Sequence, residues 1–255
     1  MIKRLIFILT VLTPFASAAD IGLSPPRLEL NAQPGETLTE IVTILTDTIE
    51  EQQIQVEVSD FTISPVGDVG TLPAGSLEDS AATWIQPEVT DFALAGGEGR
   101  DFRVSITVPN DPGLQGTYHA MVFFSVVPKP TDTSGIGVVT TTRIGLTIYV
   151  TIGGTEDNSA ELIDFFQVDD QTVSFAITNL GNTVMRLAGQ IELRDETGET
   201  KYIIEIPDTP ILRENERDVT LTLPQDIEPG FYVALALIED SRSGMLVGEL
   251  PIEVK

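Results

Sequence analysis

The 255-residue chain has no cysteine, a single histidine (His119) and a single tryptophan (Trp84). Without a thiol there is no disulfide framework, no lipid-modified cysteine anchor and no thiolate nucleophile. One imidazole can build neither a His-rich metal site nor a nucleophile with a second His-paired partner. His119 falls inside Tyr118-His119-Ala120-Met121-Val122-Phe123-Phe124, the pattern of a strand core, where a structural or surface histidine is expected rather than a general base. No P-loop, no GxGxxG opening a helix and no HExxH is present. Gly67-Asp68-Val69-Gly70 and Asp169-Asp170 carry oxygen ligands of the kind Ca²⁺ takes, but Asp-rich turns are ordinary in acidic β proteins. No catalytic residue, metal or cofactor is assigned, and the chain does not read as an enzyme.

Positive charge is scarce as well: 14 Lys and Arg stand against 39 Asp and Glu, for a net charge of −25 spread along the chain. Such a surface repels nucleic acid and anionic headgroups and lacks the basic footprint that nucleic-acid binding requires. It suits a basic partner or a salty medium. Long apolar runs are rare too. The clearest, residues 5–11, is far shorter than the ~20 residues of a spanning helix. It follows Met1-Ile2-Lys3-Arg4 and precedes Ala16-Ser17-Ala18, the order of a positive n-region, an apolar h-region and a small-x-small cleavage site. Residues 1–18 are therefore expected to be a signal peptide. The mature chain then starts at Ala19, is exported to the periplasm or envelope, and carries a formal charge of about −27 once Lys3 and Arg4 are removed. No membrane insertion is expected after cleavage.

What is abundant is period-two apolar patterning, punctuated by Pro and Gly at the spacing of an antiparallel sandwich. Strands are predicted at 27–30, 37–45, 53–60, 91–94, 101–108, 117–127 and 138–151, with no convincing helix. Gly153-Gly154-Thr155-Glu156-Asp157-Asn158 reads as a linker. The predicted organisation is a first domain over 19–152, a linker over 153–160 and a second domain over 161–255. An internal echo supports two domains of one type. Val104-Ser105-Ile106-Thr107-Val108-Pro109, then Pro112-Gly113, then Tyr118 is matched by Leu221-Thr222-Leu223-Pro224, then Pro229-Gly230, then Tyr232. A Tyr entering strand F after such a loop is the tyrosine corner of immunoglobulin-like sandwiches, so Tyr118 and Tyr232 are both predicted corners. The fold class is all-β, two tandem immunoglobulin-like sandwiches. Trp84 is expected in the core; the alternative is an exposed contact for carbohydrate or protein.

Ile21-Gly22-Leu23-Ser24-Pro25-Pro26-Arg27-Leu28-Glu29-Leu30, followed by Pro34-Gly35-Glu36-Thr37, resembles the opening of the PapD-like periplasmic pilus chaperones. The stretch 117–128, with Tyr-x-x-Met-Val-Phe-Phe-x-Val-Val-Pro, resembles that family's F strand and the loop after it. The resemblance implies two sandwiches set at an angle, with an exported subunit bound along the first domain's G strand and in the interdomain cleft. Such a subunit is an incomplete sandwich, and the chaperone lends it an edge strand. Main-chain hydrogen bonds supply affinity and alternate side chains fill the open groove.

On that resemblance Ile136, Val138 and Thr140 lie on one face of the donor strand, with Ile136 and Val138 as groove-filling knobs; the alternative is that they belong to the domain's own core or that the Ser134-Gly135 stretch is a loop. The family's cleft holds an Arg from the first strand and a Lys from the G strand, which grip the subunit's terminal carboxylate. Arg27 stands at the Arg position; Gly145 stands where the Lys should be, and Arg143, two positions earlier on the same face, is the nearest basic residue. The partners implied are exported subunits with incomplete sandwiches and an outer-membrane usher. The alternative is an envelope-associated binding or structural module that recognises a protein or glycan without passing it on.

Overall fold

The structure, a computed structural model, describes residues 21–128, 141–240 and 244–255. The predicted signal peptide and the predicted donor positions Ile136, Val138 and Thr140 lie outside the described residues. Among the described residues no helix is long and apolar enough to cross a membrane.

Ten strands build the first sandwich: β1 (Ile21–Ser24), β2 (Arg27–Ala32), β3 (Thr37–Thr46), β4 (Gln52–Ile63), β5 (Val69–Pro73), β6 (Ile85–Pro87), β7 (Asp91–Leu94), β8 (Gly99–Thr107), β9 (Gly116–Val127) and β10 (Arg143–Ile152). Seven build the second: β11 (Ala160–Asp169), β12 (Thr172–Asn179), β13 (Met185–Arg194), β14 (Thr200–Ile211), β15 (Glu216–Thr222), β16 (Gly230–Asp240) and β17 (Gly244–Val254). The first sandwich pairs a sheet ordered β1-β3-β8-β6 with one ordered β2-β10-β9-β4-β5, where β7 also pairs with β4. The second pairs β11-β12-β15 with β14-β13-β16-β17. This is the predicted fold class. The predicted strands each have an observed counterpart, except that 138–140 lie outside the described residues. The sequence reading missed β1, β5 and β6; β5 is exposed at every position and so shows no alternation, and β6 has only three residues.

Alternation explains the layers, because successive strand side chains point to opposite faces. In the first sandwich Val42, Ile44, Phe102, Val104 and Ile106 from one sheet meet Val56, Val122, Phe124, Leu146 and Ile148 from the other, all in one buried cluster. Phe102 and Phe124 pack edge to face with centroids 5.1 Å apart. The second core joins Val173, Phe175, Ile177 and Val219 to Leu187, Ile191, Ala234, Ala236 and Ile238. Each large side chain removed from water in this way contributes about 1.5–3 kcal/mol. Trp84 is buried and tilts over the Tyr118 ring at 4.5 Å, which settles it as core and overturns the exposed-contact alternative.

The two predicted corners behave differently. The Tyr232 hydroxyl donates to the Glu228 carbonyl at 2.8 Å, the expected corner. Tyr118 makes no such bond: its ring is taken up between Trp84 and the Arg213 guanidinium, 5.8 Å from its centroid, which corrects the sequence reading. The two Asp-rich turns also have a local explanation. Asp169 Oδ1 accepts the Gln171 N–H at 2.8 Å, and the Asp68 N–H bonds Ser64 Oγ at 3.0 Å, so both close hairpins.

Tyr232→Phe is expected to cost about 1 kcal/mol, the net worth of one hydrogen bond, and Tyr118→Phe to be nearly neutral. Urea denaturation of the two variants beside the parent checks the contrast.

Candidate functional site: the interdomain cleft

The cleft exists because the second sandwich covers only one end of the outer face of β9 and β10. Period two puts His119, Met121 and Phe123 of β9, and Thr147 and Tyr149 of β10, on the face opposite the first core. At the covered end Tyr149 and Phe61 form a buried cluster with Val184 and Leu212 of the second sandwich, with Ile63 and Met121 against it. His119 is buried there: Nε2 bonds the Phe61 carbonyl at 2.9 Å and Nδ1 lies 3.5 Å from Asp79 Oδ2, the structural role its sequence context indicated.

Backbone hydrogen bonds lock this seam. The Thr117 N–H bonds the Asn182 carbonyl at 2.9 Å, and the Val184 N–H bonds Thr117 Oγ1 at 3.2 Å. On the far side, the hairpin loop between β4 and β5 docks on β15: the Asp218 N–H bonds the Pro65 carbonyl at 2.8 Å, and Arg217 Nη1 bonds the Ser64 carbonyl at 3.2 Å. Gly67 in that loop has φ +101°, and a Cβ there would run into the Arg217 guanidinium, so only glycine fits.

Beyond the seam a cavity of about 590 Å³ opens between Arg27 of the first sandwich and Arg186, Ala188, Asp208, Glu239 and Met245 of the second. Arg27 Nε lies 2.8 Å from Glu29 Oε1, and its Nη1 lies 3.5 Å from Asp208 Oδ2. Arg186 holds Asp208 through Nε, at 2.8 Å, and through Nη2. Two guanidinium groups and two carboxylates thus form one network across the cleft floor. Arg186 beside it holds the Asp208 carboxyl below its usual range. Tyr149, next along the floor, is pushed up to about 12 by burial, against the opposing pull of Arg186 and Arg27.

The predicted site residues separate here. Arg27 is in the cleft. Arg143 shares its face but not its place: Arg27 lies beside Thr147, four residues further along β10, a span of about 13 Å. Arg143 instead bonds Glu57 at 3.1 Å and lies 3.5 Å above the Phe123 ring. The structure therefore does not bring Arg27 and Arg143 together, and the cation that does stand beside Arg27 is Arg186. No local motif marks Arg186; its place depends on the seam. At Gly145 a Cβ would overlap the Met121 sulfur, which lies across the glycine and fills the space a longer side chain would need.

The same strand has an open edge. β2 pairs with β10 only over Thr147–Ile152, and Thr147 turns its N–H outward to the Pro26 carbonyl at 3.2 Å. Thr142 faces the other way, accepting the Val126 N–H at 2.9 Å. Outward and inward groups alternate along an antiparallel strand. Arg143 and Gly145 therefore direct both N–H and C=O to the side away from β9, where no strand among the described residues pairs with them.

No family model and no curated protein matches the sequence. Among solved structures, the YadV chaperone is similar at 9% identity and TM-score 0.50, over 91% of this chain and 100% of that one. A structure of the Salmonella enterica SafA pilin with the SafB chaperone is similar at 11% identity and TM-score 0.48, covering 94% of this chain and 98% of its own. A CsuC–CsuE chaperone–tip adhesion subunit complex from the archaic chaperone-usher Csu pili of Acinetobacter baumannii follows at 11% identity and TM-score 0.47, covering 91% and 98%. The fold is that of the PapD-like two-sandwich chaperones, as the sequence resemblance implied.

The Asp208 carboxyl has a folded pKa below its ordinary value of 3.8. Its stabilising contact with Arg186 is thus complete above that value and is lost as the pH falls through the lower, folded one. Asp208→Asn is expected to flatten the acid limb of a plot of urea midpoint against pH from 6 to 2.5. Because Asp208 is more than half exposed, the change is modest.

Proposed function

We propose that this protein is an exported assembly chaperone that binds an incomplete β-sandwich subunit by adding a strand to it. The single observation carrying this reading is the open edge of β10 at Arg143 and Gly145. Its unpaired N–H and C=O groups border the cleft and run directly into the segment that contains Ile136, Val138 and Thr140. An unpaired edge is ordinarily blunted or covered, since it templates pairing with another chain. An edge left open beside a charged cleft is suited to a client that brings its own strand. The YadV likeness supports the fold on which this reading depends.

In this reading residues 153–160 are the hinge between a sandwich ending at 152 and one starting at 161. The clamp is Arg27 with Arg186 rather than Arg27 with Arg143. A guanidinium takes a carboxylate through two parallel hydrogen bonds, which sets register as well as adding energy. Here both cations already hold Glu29 and Asp208, so a client carboxylate enters by exchange with Asp208, the more exposed of the two acids. Ile136 and Val138 fill the client's groove, Thr140 continues their face, and Arg143, stacked on Phe123, lies between that groove and the cleft. Delivery to an outer-membrane usher, with the periplasm as the working compartment, completes the proposal.

The test is capture of a co-expressed exported subunit by the full chain. Arg27→Ala is expected to lower capture on the order of tenfold, and Asp208→Asn to raise it by freeing the clamp. Arg143→Pro deletes one outward N–H at an edge where proline is structurally tolerated, and should lower capture as well. Ile136→Asp with Val138→Asp should abolish it. Hydrogen exchange reads the edge directly: the Arg143 and Gly145 amides exchange freely alone and are protected in the complex. Capture indifferent to all these changes, with both amides unprotected, overturns the reading.

A further inference from the structure

The second sandwich contains a strand whose sequence calls for cover on two faces and whose structure supplies cover on one. Phe231-Tyr232-Val233-Ala234-Leu235-Ala236-Leu237-Ile238 is eight apolar residues without a break. In an antiparallel sheet with one face in water, outward positions are ordinarily polar. The neighbouring β13 obeys this, presenting Gln190, Glu192 and Arg194 outward while Leu187, Ile191 and Leu193 are buried.

β16 does not. Tyr232, Ala234, Ala236 and Ile238 fill the core, and the outward set is Phe231, Val233, Leu235 and Leu237; Phe231 is 63% and Val233 40% exposed, while Leu235, between Glu192 and Glu249, is buried. The register continues the stripe onto β17, where Leu237 stands opposite Val247, Val233 opposite Pro251 and Glu239 opposite Met245. Met245 and Val247 are each 55% exposed. From Phe231 to the Met245 pair the stripe spans eight residues of β16, about 27 Å. Its Met245 end lines the cleft beside Arg27 and Arg186. β9 in the first sandwich has the same two-faced apolar run, but its outer face is covered by the seam and by Arg143 over Phe123. On the outer face of β16 only Leu235 is covered, and Phe231 and Val233, with Met245 and Val247 on β17, stay exposed.

We propose that this face is a docking surface for an extended apolar segment of the client, flanked by lysine or arginine, that leaves the cleft along the second sandwich. Two observations select that occupant. The stripe is continuous with the cleft. Its rim is acidic: Glu192, Glu205, Glu239, Glu249 and Glu253 lie in the same outward rows. Of the cations nearby, Arg194 is held by Glu192 at 2.7 Å, and Lys201 by Asp195 at 3.3 Å and Glu199 at 2.5 Å. The uncommitted charge is therefore negative, and a second copy of this chain would meet it with the same sign. A contiguous exposed apolar patch inside a polar rim is a characteristic interaction surface, and complementary rim charge sets partner choice and encounter rate. The inference rests on the assembly reading for the source of the segment, not for its chemistry.

The probes are two synthetic decapeptides, one alternating valine with lysine and the other valine with glutamate, titrated into the full mature chain and followed by amide chemical shifts. The lysine peptide is expected to bind, more weakly at high salt, with shifts confined to β16 and β17; the glutamate peptide is expected not to bind. Leu237→Glu with Val247→Glu, both outward and outside the core, should weaken binding at least tenfold. Equal binding of both peptides, shifts along β10 instead, or wild-type affinity in the double variant overturns the inference. So does a wild-type dimer, seen by sedimentation, that the double variant makes monomeric, because the face then belongs to a second copy. Failure of the unaltered chain to capture any exported subunit, with lysine-peptide binding intact, would sink the assembly reading alone.

Discussion

The structure turns on the partial cover of one sheet face. Phe61, His119, Met121 and Tyr149 project from the outer side of the first sandwich, and apolar or aromatic groups there must be removed from water. The second sandwich does this with Val184 and Leu212. Backbone bonds at Thr117 and at the loop before β5 then leave little freedom of angle. Because the cover stops short of Arg143 and Gly145, the same contact that joins the domains also creates the cleft and leaves the edge of β10 open beside it.

Charge follows from that geometry. In a chain of net charge −25 the few cations are not scattered at random. Arg27 and Arg186 meet on the cleft floor, Arg143 covers the Phe123 ring, and Arg217 struts the seam. Each guanidinium works where a planar, weakly hydrated cation is useful, on a carboxylate, a ring or a carbonyl. The acid surplus remains around the rim of the β16–β17 face, so the molecule presents an apolar stripe framed by negative charge next to a cleft that holds positive charge.

The strand pattern, the tandem arrangement and the buried place of Trp84 were all legible in the sequence, because alternation and turn residues act over two to twelve positions and leave a local signature. The corner at Tyr232 was legible for the same reason. The matching motif at Tyr118 misled because an aromatic partner, Trp84, thirty-four residues earlier in the chain, took up the ring. Arg27 was indicated by the resemblance of residues 21–30 and stands in β2, lining the cleft. Arg143 was reached by counting along one strand for the nearest cation, and counting cannot see that Arg186 arrives from the other sandwich.

Two sandwiches, their polarity and their order are thus properties of the sequence by itself, since alternating strands with no helix to cover them bury one face against another sheet face. Which cation stands beside Arg27, that Met121 lies across Gly145 and which apolar strand keeps exposed residues on its outer face were decided only by tertiary structure. Each depends on groups that are distant along the chain and are brought together by the seam, and no local pattern records how two packed domains are turned relative to each other.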